Sequence, residues 1–523
     1  MIRYPIGIQT FSEIRKRNCI YVDKTRYVYE VANDLKYVFL SRPRRFGKSL
    51  LVSTFDSYFR GKKELFSGLD IETLEQDWTE YPVLHFDLSD IKLGTTEQFE
   101  ININATLSSM EESYGVTTST DRDISTRFRL LVENIYKKTG KQVVILIDEY
   151  DSPLLTVLHD PERLDAMRTV LQSFFSPLKK LDPYLRFVFI TGITKFSQLS
   201  IFSQLNNLSN ITMTPQYSTI VGFTQEEIER DFKDGIQSIA EYNKITYQEA
   251  LSKLKNLYDG YHFSRDSEGV YNPFSVLRAM NTKQLENFWF ETGTPTYLIK
   301  TLQSHNTFIP ELEESKAFSS DFDAPTEAMV SVLPLLYQSG YLTIKDYNPF
   351  SMEYTLGFPN TEVKVGLLHS LIPFYVSKES AKASSALGNM WLALMKDDLD
   401  GMLHIARSFF ASIPYQEGTL KDMKTSEGHY TAMLYVMFSL FSNFCYSQVR
   451  TAEGKMDILL KTASTIYVME LKIDGSVDDA LAQIDHQGYL IPFEADGRRL
   501  VKVGINFSSK ERTIKEWKIK KVE

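Results

Sequence analysis

Four short apolar segments in the first half of the chain constrain its fold more than any other feature. They read KYVFLS (36–41), PVLHFDLS (82–89), QVVILID (142–148) and RFVFITG (186–192), and longer segments with helical patterning separate them. Segments that are apolar throughout are typical of strands buried on both faces. Strands that alternate with helices form a parallel sheet with helices on both sides. We therefore predict an α/β fold with a parallel sheet for this half.

Composition and charge narrow the class of protein. The chain has 523 residues, 43% of them hydrophobic, which suits a globular protein of three or four domains. It shows neither an apolar signal segment nor an uninterrupted apolar run of about 18 residues, so we expect a cytoplasmic protein without a membrane span. Its two cysteines, Cys19 and Cys445, lie far apart, which argues against a disulfide framework or a zinc site. The net charge of -9 argues against a protein that coats nucleic acid over its whole surface.

The second half of the chain has a different pattern. From about Trp289 the segments are helical, and the helical EAMVSVLPLLYQ precedes a predicted hairpin in SGYLTIKDYNPFSMEYTLGF, an order typical of a winged-helix-like connector. From Thr425 a helix, the strands KMDILLK and TIYVMELK, another helix and the strand VKVGINFS predict a small α/β domain. From Arg498 onwards nine Lys or Arg accompany three Glu, a balance that permits a phosphate-bearing partner without requiring one. The three predicted domains are 1–288, 289–424 and 425–523.

The stretch LSRPRRFGKSLLVST joins the first predicted strand to a helix. In the motif G-x-x-x-x-G-K-[ST], N–H groups at the helix start cradle phosphates, the lysine meets the β- and γ-phosphates, and the hydroxyl binds Mg²⁺. Gly47, Lys48 and Ser49 match the last three positions. Arg42 occupies the first glycine position and Pro43 removes a donor N–H, so the loop must enter differently from the standard motif. By itself the motif leaves open a basic loop that only caps a helix.

The segment VVILIDEYDSP supports the nucleotide interpretation, because two acids follow a buried strand. Asp148 can hold Mg²⁺ through water, and Glu149 can orient or deprotonate the attacking water. A strand that ends in a solvated acidic turn is the alternative, but the combination with the preceding GKS loop favours a nucleotide site. The next strand segment, RFVFITGITKFSQLS, ends in Thr191, Thr194 and Lys195, where either a γ-phosphate sensor or ordinary loop polarity explains them.

The two predicted carboxyl-terminal strands point to a second site. If KMDILLK and TIYVMELK pair so that Lys461 faces Ile466, Asp457 lies opposite Glu470 with the Cβ atoms about 5 Å apart. Lys472 shares that face of the hairpin. Two converging carboxylates suit Mg²⁺ or Mn²⁺, and a nearby lysine can position or activate a water. The alternative is the solvated face of an amphipathic hairpin.

The sequence resembles a known family along nearly its whole length, including the segments of both candidate sites. The segments that carry the resemblance are YVDKT, SRPRRFGKSLL, ILIDEYDSP, ITGITKFSQLSIFSQLNNLSNIT, GFTQEEI, YDGYHFS, YNPFSVL, FWFETGTPTYL and MELKIDGSVDDALAQI. They resemble the AAA-ATPase-like domain of bacterial proteins that also carry a PD-(D/E)XK nuclease-superfamily domain. The family's loop reads RPRRFGKS, so the resemblance implies a genuine site without the first glycine. It also implies a P-loop NTPase sheet with a helical lid.

The candidate residues fall into two groups. For ATP and its Mg²⁺ they are Arg44, Arg45, Phe46, Gly47, Lys48, Ser49, Leu50, Asp148, Glu149 and Thr191, with Ser49 and Asp148 on the metal. For the nuclease they are Asp457, Glu470, Lys472 and Gln483, with Asp457 and Glu470 on Mg²⁺ or Mn²⁺. Arg44 and Arg45 can neutralise phosphate in the same chain, act on a neighbouring subunit, or pair with local acids.

Three further residues accompany the nuclease-like motif. Gly454 precedes the Asp457 strand, and Gln483 and Tyr489 lie on the predicted helix VDDALAQIDHQGYLIPF. Gln483 can hold the lysine or a phosphate. Glu427, at the start of the preceding helix, is a weaker candidate acid.

These observations support two hypotheses about function. The first is an ATPase that controls a metal-dependent DNA nuclease, in defence or in mobile-element turnover. The second is an ATP-gated signalling or binding switch whose nuclease-like domain binds a partner without cutting. A protein-remodelling AAA machine fits less well, because the chain ends in a metal-site unit. ATP and DNA are the expected partners, and assembly into a homo-oligomer is left open.

Overall fold

The computed structural model describes most of the chain. The described ranges are 3–89, 95–118, 122–158, 160–194, 205, 207–290, 298–299, 301–302, 307–322, 332–375, 380–411, 427–440, 445–450 and 454–522. The chain divides into two compact units, Met1–His305 with Ser315–Glu362, and Asn306–Glu314 with Val363–Glu523.

The described residues contain these helices: α1 (Phe11–Lys16), α2 (Thr25–Asp34), α3 (Lys48–Phe59), α4 (Ile71–Leu74), α5 (Thr96–Tyr114), α6 (Ile124–Thr139), α7 (Ser152–Thr156), α8 (Pro161–Phe175), α9 (Gln225–Asp231), α10 (Lys233–Asn243), α11 (Tyr247–Tyr258), α12 (Pro273–Thr282), α13 (Ser319–Phe322), α14 (Leu333–Gln338), α15 (Thr361–Tyr375), α16 (Ser380–Met395), α17 (Leu399–Ala411), α18 (Glu427–Ser439) and α19 (Val477–His486).

The strands are β1 (Tyr37–Ser41), β2 (Val83–Asp87), β3 (Val143–Asp148), β4 (Leu185–Gly192), β5 (Ser209–Asn210), β6 (Ser315–Phe318), β7 (Thr343–Asn348), β8 (Glu353–Gly357), β9 (Cys445–Arg450), β10 (Lys455–Lys461), β11 (Thr465–Ile473), β12 (Arg499–Ser508) and β13 (Thr513–Lys521).

The first unit is built on a five-stranded sheet with the order β2-β3-β4-β1-β5. All its pairings are parallel, which confirms the predicted α/β fold. The four predicted strands are present, and the two-residue β5 was not predicted. Because β3, β4 and β1 are neighbours, the chain segments that follow Asp148, Gly192 and Ser41 leave the same edge of the sheet. In open parallel sheets this carboxyl edge is where ligands bind.

Aromatic packing fixes helix α3 against the sheet. Phe55 is fully buried, with its ring centroid 4.8 Å from that of Phe189 and 5.3 Å from that of Phe187, both on β4. Burial of a phenylalanine side chain stabilises a fold by roughly 1.5–3 kcal/mol. The start of α3 is therefore held at the carboxyl edge of the sheet.

The predicted helical lid is formed by α9 to α12, which share one apolar core. Thr224 and Thr246 begin α9 and α11 with capping boxes that use Glu227 and Glu249. In each capping box, side chains accept hydrogen bonds from backbone N–H groups at the helix start that have no partner within the helix. The lid is thus specified by local sequence as well as by its buried face.

A small antiparallel sheet with the order β6-β8-β7 lies in the first unit, with β6 before helix α14 in the chain and β7 and β8 after it. The predicted hairpin is confirmed as β7 and β8. Of the helix predicted before it, the structure describes the part from Leu333, and 327–331 lie outside the described residues. The predicted domain boundaries remain predictions, and the residues of the predicted connector are divided between the two units.

The carboxyl-terminal sheet in the second unit has the order β13-β12-β11-β10-β9. Strands β11 and β12 are parallel and the other pairs are antiparallel. Helix α19 approaches β12 so closely that a Cβ on Gly504 would lie 2.5 Å from the carbonyl oxygen of Val477 and 3.2 Å from the Cβ of Ala480. Strands β10, β11 and β12 and helix α19 match the predicted small α/β domain. Strands β9 and β13 at its two edges were not predicted.

Helices that could cross a membrane are absent from the described ranges, since none of them is both long enough and apolar enough.

Candidate nucleotide and metal-binding sites

The predicted phosphate loop leads into α3 through a glycine that the backbone requires. Gly47 is the N-cap of α3 and has a φ of 91°, a left-handed conformation that glycine adopts without steric cost. Lys48 is therefore the first residue of the helix. Its buried Nζ donates to the carbonyl oxygen of Pro43 at 3.2 Å and lies 3.4 Å from Oε1 of Glu149. The structure thus brings the GKS motif and the acidic segment together.

The two acids after β3 have different environments. Asp148 is 3% exposed, and burial raises its pKa to about 6, while a hydrogen bond from the Ser49 hydroxyl acts in the opposite direction. Its Oδ1 accepts the N–H of Glu149 at 3.0 Å. Glu149 has a φ of 51°, which is uncommon for a residue other than glycine and is typical of constrained functional positions. The hydroxyl of Ser49 and the carboxylate of Asp148 form the oxygen pair that Mg²⁺ prefers.

A cavity of about 390 Å³ opens beside these residues. Its wall includes the loop from Arg44 to Leu51, Glu149, Lys24, and the apolar side chains of Phe274 and Leu277. Pockets for small molecules usually measure roughly 300–1,000 Å³ and combine apolar walls with a few polar groups. This cavity has the size and the lining of a ligand site.

The arginine at the first glycine position acts through its side chain. Arg42 is 1% exposed and donates to the carbonyl oxygens of Ser41, Thr212 and Tyr217 at 2.7–3.0 Å. Its guanidinium also lies 4.2 Å from the ring centroid of Phe263. Burial lowers its pKa to about 10, so it stays charged at neutral pH. The side chain therefore anchors the entry to the loop.

The other loop side chains point in different directions. Arg45 donates from Nη1 to the carbonyl oxygens of Phe288 and Trp289, both at 2.8 Å. Phe46 is buried, with its ring centroid 4.7 Å from that of Tyr261. Arg44 is exposed and lines the cavity. Arg44 is therefore better placed than Arg45 to meet a phosphate with its side chain.

The end of β4 is held by a buried acid that we did not single out from the sequence. Asp151 is fully buried and accepts the N–H of Ile193 and both the N–H and the hydroxyl of Thr194. Burial raises its pKa to about 6. Oγ1 of Thr191 is buried with no hydrogen-bond partner among the described residues. Lys195 lies outside the described residues.

In the carboxyl-terminal sheet, the β10 and β11 pairing has the predicted register, from Lys461 opposite Ile466 to Ile458 opposite Met469. The predicted pair of Asp457 and Glu470 is not among the paired positions. Oδ2 of Asp457 instead accepts the N–H of Leu471, the residue after Glu470, at 2.9 Å.

Glu470 and Lys472 lie on the same face of β11, as predicted. Glu470 is 2% exposed, and its Oε1 lies 3.6 Å from Nζ of Lys472. That Nζ donates to Oε1 of Gln483 on α19 at 2.7 Å. Of the two partners considered for Gln483, the structure shows the lysine. In the described part of the chain, no group of three or more His, Cys, Asp or Glu is arranged to hold a metal, so the metal role of Asp457 and Glu470 stays a prediction.

Gly454 and Tyr489 have a structural explanation, although α19 ends at His486 and Tyr489 therefore lies beyond the helix on which it was predicted. A Cβ on Gly454 would lie 2.7 Å from the hydroxyl oxygen of Tyr489, which donates to the carbonyl oxygen of Lys455 at 3.0 Å. The two residues therefore fix the start of β10. The side chain of Glu427 lies outside the described residues.

The regions that contain the two candidate sites match known families, and one relative matches along nearly the whole chain. Residues 5–202 match the family described as predicted AAA-ATPase, and residues 425–517 match the PD-(D/E)XK nuclease superfamily. A protein of Azotobacter chroococcum mcd 1, named "Uncharacterized protein in vnfD 5'region", is 32% identical over 518 residues, which are 98% of each chain.

Solved structures with some likeness include two Aeropyrum pernix proteins. The ORC2 protein in its ADPNP-ADP complexes is 12% identical, over 64% of this chain and 87% of that chain, with a TM-score of 0.26. The ORC1 protein in complex with DNA is 11% identical, over 66% of this chain and 91% of that chain, with a TM-score of 0.25. These scores are too low for the ligands of those proteins to say anything about this chain.

Proposed function

The chain belongs to the family of predicted AAA-ATPases with a carboxyl-terminal PD-(D/E)XK nuclease-superfamily domain, and from this premise we propose that it hydrolyses ATP and cuts DNA in a metal-dependent reaction. The observation that carries the ATPase half is the convergence of Lys48, Ser49, Asp148 and Glu149 beside one cavity. We place ATP hydrolysis in the first unit and DNA cleavage in the carboxyl-terminal domain.

Each residue of the first site has its own role in phosphoryl transfer. Lys48 binds the β- and γ-phosphates, while Ser49 and Asp148 would hold Mg²⁺. When bound there, the metal would neutralise charge that develops on the phosphate oxygens. Glu149 orients the attacking water and takes its proton. Thr191 contributes a buried hydroxyl at the sheet edge, which supports its assignment as a γ-phosphate contact.

The loop binds phosphate with its backbone and with one arginine. The N–H groups from Phe46 to Leu50 lie around the start of α3 at Lys48, and helix starts favour anions. Arg45 and Phe46 hold the loop by their side chains, and Arg44 supplies positive charge at the cavity. If copies of the chain assemble, the exposed Arg44 can instead reach the nucleotide of a neighbour.

The second site uses the residues around β10 and β11. Asp457 and Glu470 supply carboxylate oxygens for Mg²⁺ or Mn²⁺. The hydrogen bond from the N–H of Leu471 holds the Asp457 side chain against β11, the strand that contains Glu470. Lys472, held by Gln483, positions the water that attacks the phosphodiester.

We further propose that nucleotide state controls cleavage. ATP can shift the nuclease only if it binds two conformations of the protein with different affinity. A place in defence or mobile-element turnover remains a prediction from the resemblance.

One assay tests the whole proposal. Purified full-length protein is incubated with single-stranded and duplex DNA, each with ATP, ADP or no nucleotide, and with Mg²⁺, Mn²⁺ or EDTA. We expect metal-dependent cleavage whose rate changes with the nucleotide. Equal rates in all three nucleotide conditions would refute the control of cleavage while leaving the nuclease standing. ATP hydrolysis without any cleavage would favour the alternative, an ATP-gated switch with a non-cleaving partner-binding domain.

A further inference from the structure

We propose that Glu362 is a positioning residue of the nucleotide loop and acts on it through residues 288–289 and Arg45. The inference rests on the proposed ATP site and adds a residue that no motif marks.

Glu362 is a buried carboxylate whose hydrogen bonds fix the backbone at residues 288–289. Its Oε1 accepts the N–H of Phe288 at 2.7 Å and that of Trp289 at 2.9 Å. The hydroxyl of Ser275 on α12 lies 2.8 Å from Oε2 and 3.1 Å from Oε1. The Glu362 side chain is 0% exposed, so these bonds form away from water, where hydrogen bonds to a charged group are strong. The orientation of the 288–289 backbone is thus set by Glu362.

The opposite side of the same backbone binds Arg45. The N–H of Trp289 and the carbonyl of Phe288 belong to one peptide group, whose dipole points its positive end at the Glu362 carboxylate and its negative end at the Arg45 guanidinium. The carbonyl of Trp289 accepts a second bond from the same Nη1 of Arg45. A carboxylate and a guanidinium at opposite ends of a peptide dipole polarise it in the same sense, so each strengthens the bond of the other.

Arg45 links the 288–289 backbone to the phosphate loop, of which it is a residue. Its φ of 68° is a left-handed conformation that a residue other than glycine adopts only under constraint. Its guanidinium lies 3.9 Å from the ring centroid of Phe274, a residue of the cavity wall. Two residues later Gly47 is the N-cap of α3, and both Arg45 and Gly47 line the cavity. Loss of the Arg45 anchor therefore lets the loop relax and lowers affinity for phosphate, although Glu362 does not touch the nucleotide.

A merely structural role of Glu362 makes a different prediction. A buried carboxylate that only stabilises the fold would affect ATP binding to the same extent whether or not Arg45 is present. A positioning residue that acts through Arg45 loses its effect once Arg45 is removed. A double-mutant cycle measures this difference.

The experiment titrates a fluorescent ATP analogue into full-length wild type, Glu362→Gln, Arg45→Ala and the double variant. Glu111→Gln is the matched control, since Glu111 is another buried glutamate of the same unit and pairs with Arg127 on α6. We expect Glu362→Gln and Arg45→Ala each to raise the Kd about tenfold, the double variant to equal Arg45→Ala, and the control to bind as wild type. At saturating ATP the kcat of Glu362→Gln should stay within about twofold of wild type, because the interaction acts on binding.

The outcomes separate this inference from the proposed function. Wild type that fails to bind the analogue overturns the nucleotide site itself. Wild type that binds, with Glu362→Gln binding equally well or with additive effects in the double variant, overturns the positioning role alone. If Glu362→Gln does not fold, Ser275→Ala takes its place, because it removes one hydroxyl from Glu362. It should raise the Kd about threefold in the wild-type background and leave it unchanged beside Arg45→Ala. A Kd that Ser275→Ala does not change in the wild-type background overturns the inference.

Discussion

The Nζ of Lys48 lies 3.4 Å from Oε1 of Glu149, so the lysine proposed to bind phosphate contacts the acid proposed to activate water. Lys48 also donates to the carbonyl oxygen of Pro43. A phosphate that enters the loop must compete with both oxygens for one ammonium group. Binding of ATP would therefore release Glu149 for its role toward the water.

Replacement of Lys48 by alanine should abolish ATP hydrolysis and weaken ATP binding, because the β- and γ-phosphates lose their direct cationic partner. We expect the rate to fall at least about 100-fold. Steady-state hydrolysis and an ATP titration measure the two effects. Lys36→Ala, which removes a half-exposed lysine from the same unit, is the control and should behave as wild type. Equal ATP affinity in Lys48→Ala and wild type would contradict the assignment.

Glu149→Gln should retain ATP and hydrolyse it slowly. The amide keeps the shape of the side chain but cannot take a proton, so we expect a loss of roughly 10²–10⁴ in rate. Because the substitution removes the negative charge that pairs with Lys48, the lysine is available to the phosphates, and the Kd for ATP should not rise. Single-turnover hydrolysis and equilibrium binding test this. Glu133→Gln, at a partly buried position of α6 where the glutamate pairs with Arg129, is a suitable control. A wild-type rate in Glu149→Gln would exclude Glu149 as the base.

At the second site, Asp457→Ala should remove metal binding and leave the fold intact, since the carboxylates repel each other without a cation. Asp457→Asn should do the same while keeping an oxygen that can accept the N–H of Leu471. Calorimetric titration with Mn²⁺ measures the affinity, and circular dichroism checks the fold. Asp485→Asn, which removes an exposed carboxylate paired with Lys502, should not change the affinity. Unchanged metal affinity in both Asp457 variants would refute the site.

Lys472→Ala should lose DNA cleavage and keep its ATPase activity, because the two motif sets lie at opposite ends of the chain on different sheets. Gln483→Ala should show a smaller loss of cleavage, since it frees the lysine without removing it. Lys518→Ala, which removes a surface lysine of the same domain, is the control. Cleavage by Lys472→Ala at the wild-type rate would show that this lysine does not serve the reaction.

The buried Glu362 should make stability depend on pH. Burial raises its pKa from 4.5 to about 7, while hydrogen bonds from Trp289, Ser275 and Phe288 and the charge of Arg45 act in the opposite direction. The raised pKa means that the folded chain binds more protons than the unfolded chain between about pH 4.5 and 7. The free energy of unfolding therefore falls as pH rises through this window, by up to about 3 kcal/mol from this group. Denaturant titrations across the window should show a flatter dependence for Glu362→Gln, and identical slopes would contradict the prediction.

Local patterns in the sequence were sufficient for the parallel sheet and for most of the candidate residues. A strand buried on both faces is apolar along its whole length, and a hairpin register follows from residue numbers alone. For this reason β1 to β4, the β10 and β11 pairing, and the GKS and DE motifs were predictable. The edge strand β13 was not, because its sequence TIKEWKIKK is rich in lysine, as solvated edges usually are.

The contacts that the side chains of the three loop arginines make are decided only by the tertiary structure. Arg42 reaches a carbonyl 175 residues away along the chain, and Arg45 reaches one 243 residues away. Nothing in RPRRFGKS distinguishes an arginine that anchors the loop from one that faces the cavity, since the three side chains carry the same charge. Glu362 has no motif at all, because its role depends on a backbone turn that the folded chain brings to it. Sequence determines which groups the chain can offer, and the packing of distant segments decides which of them meet.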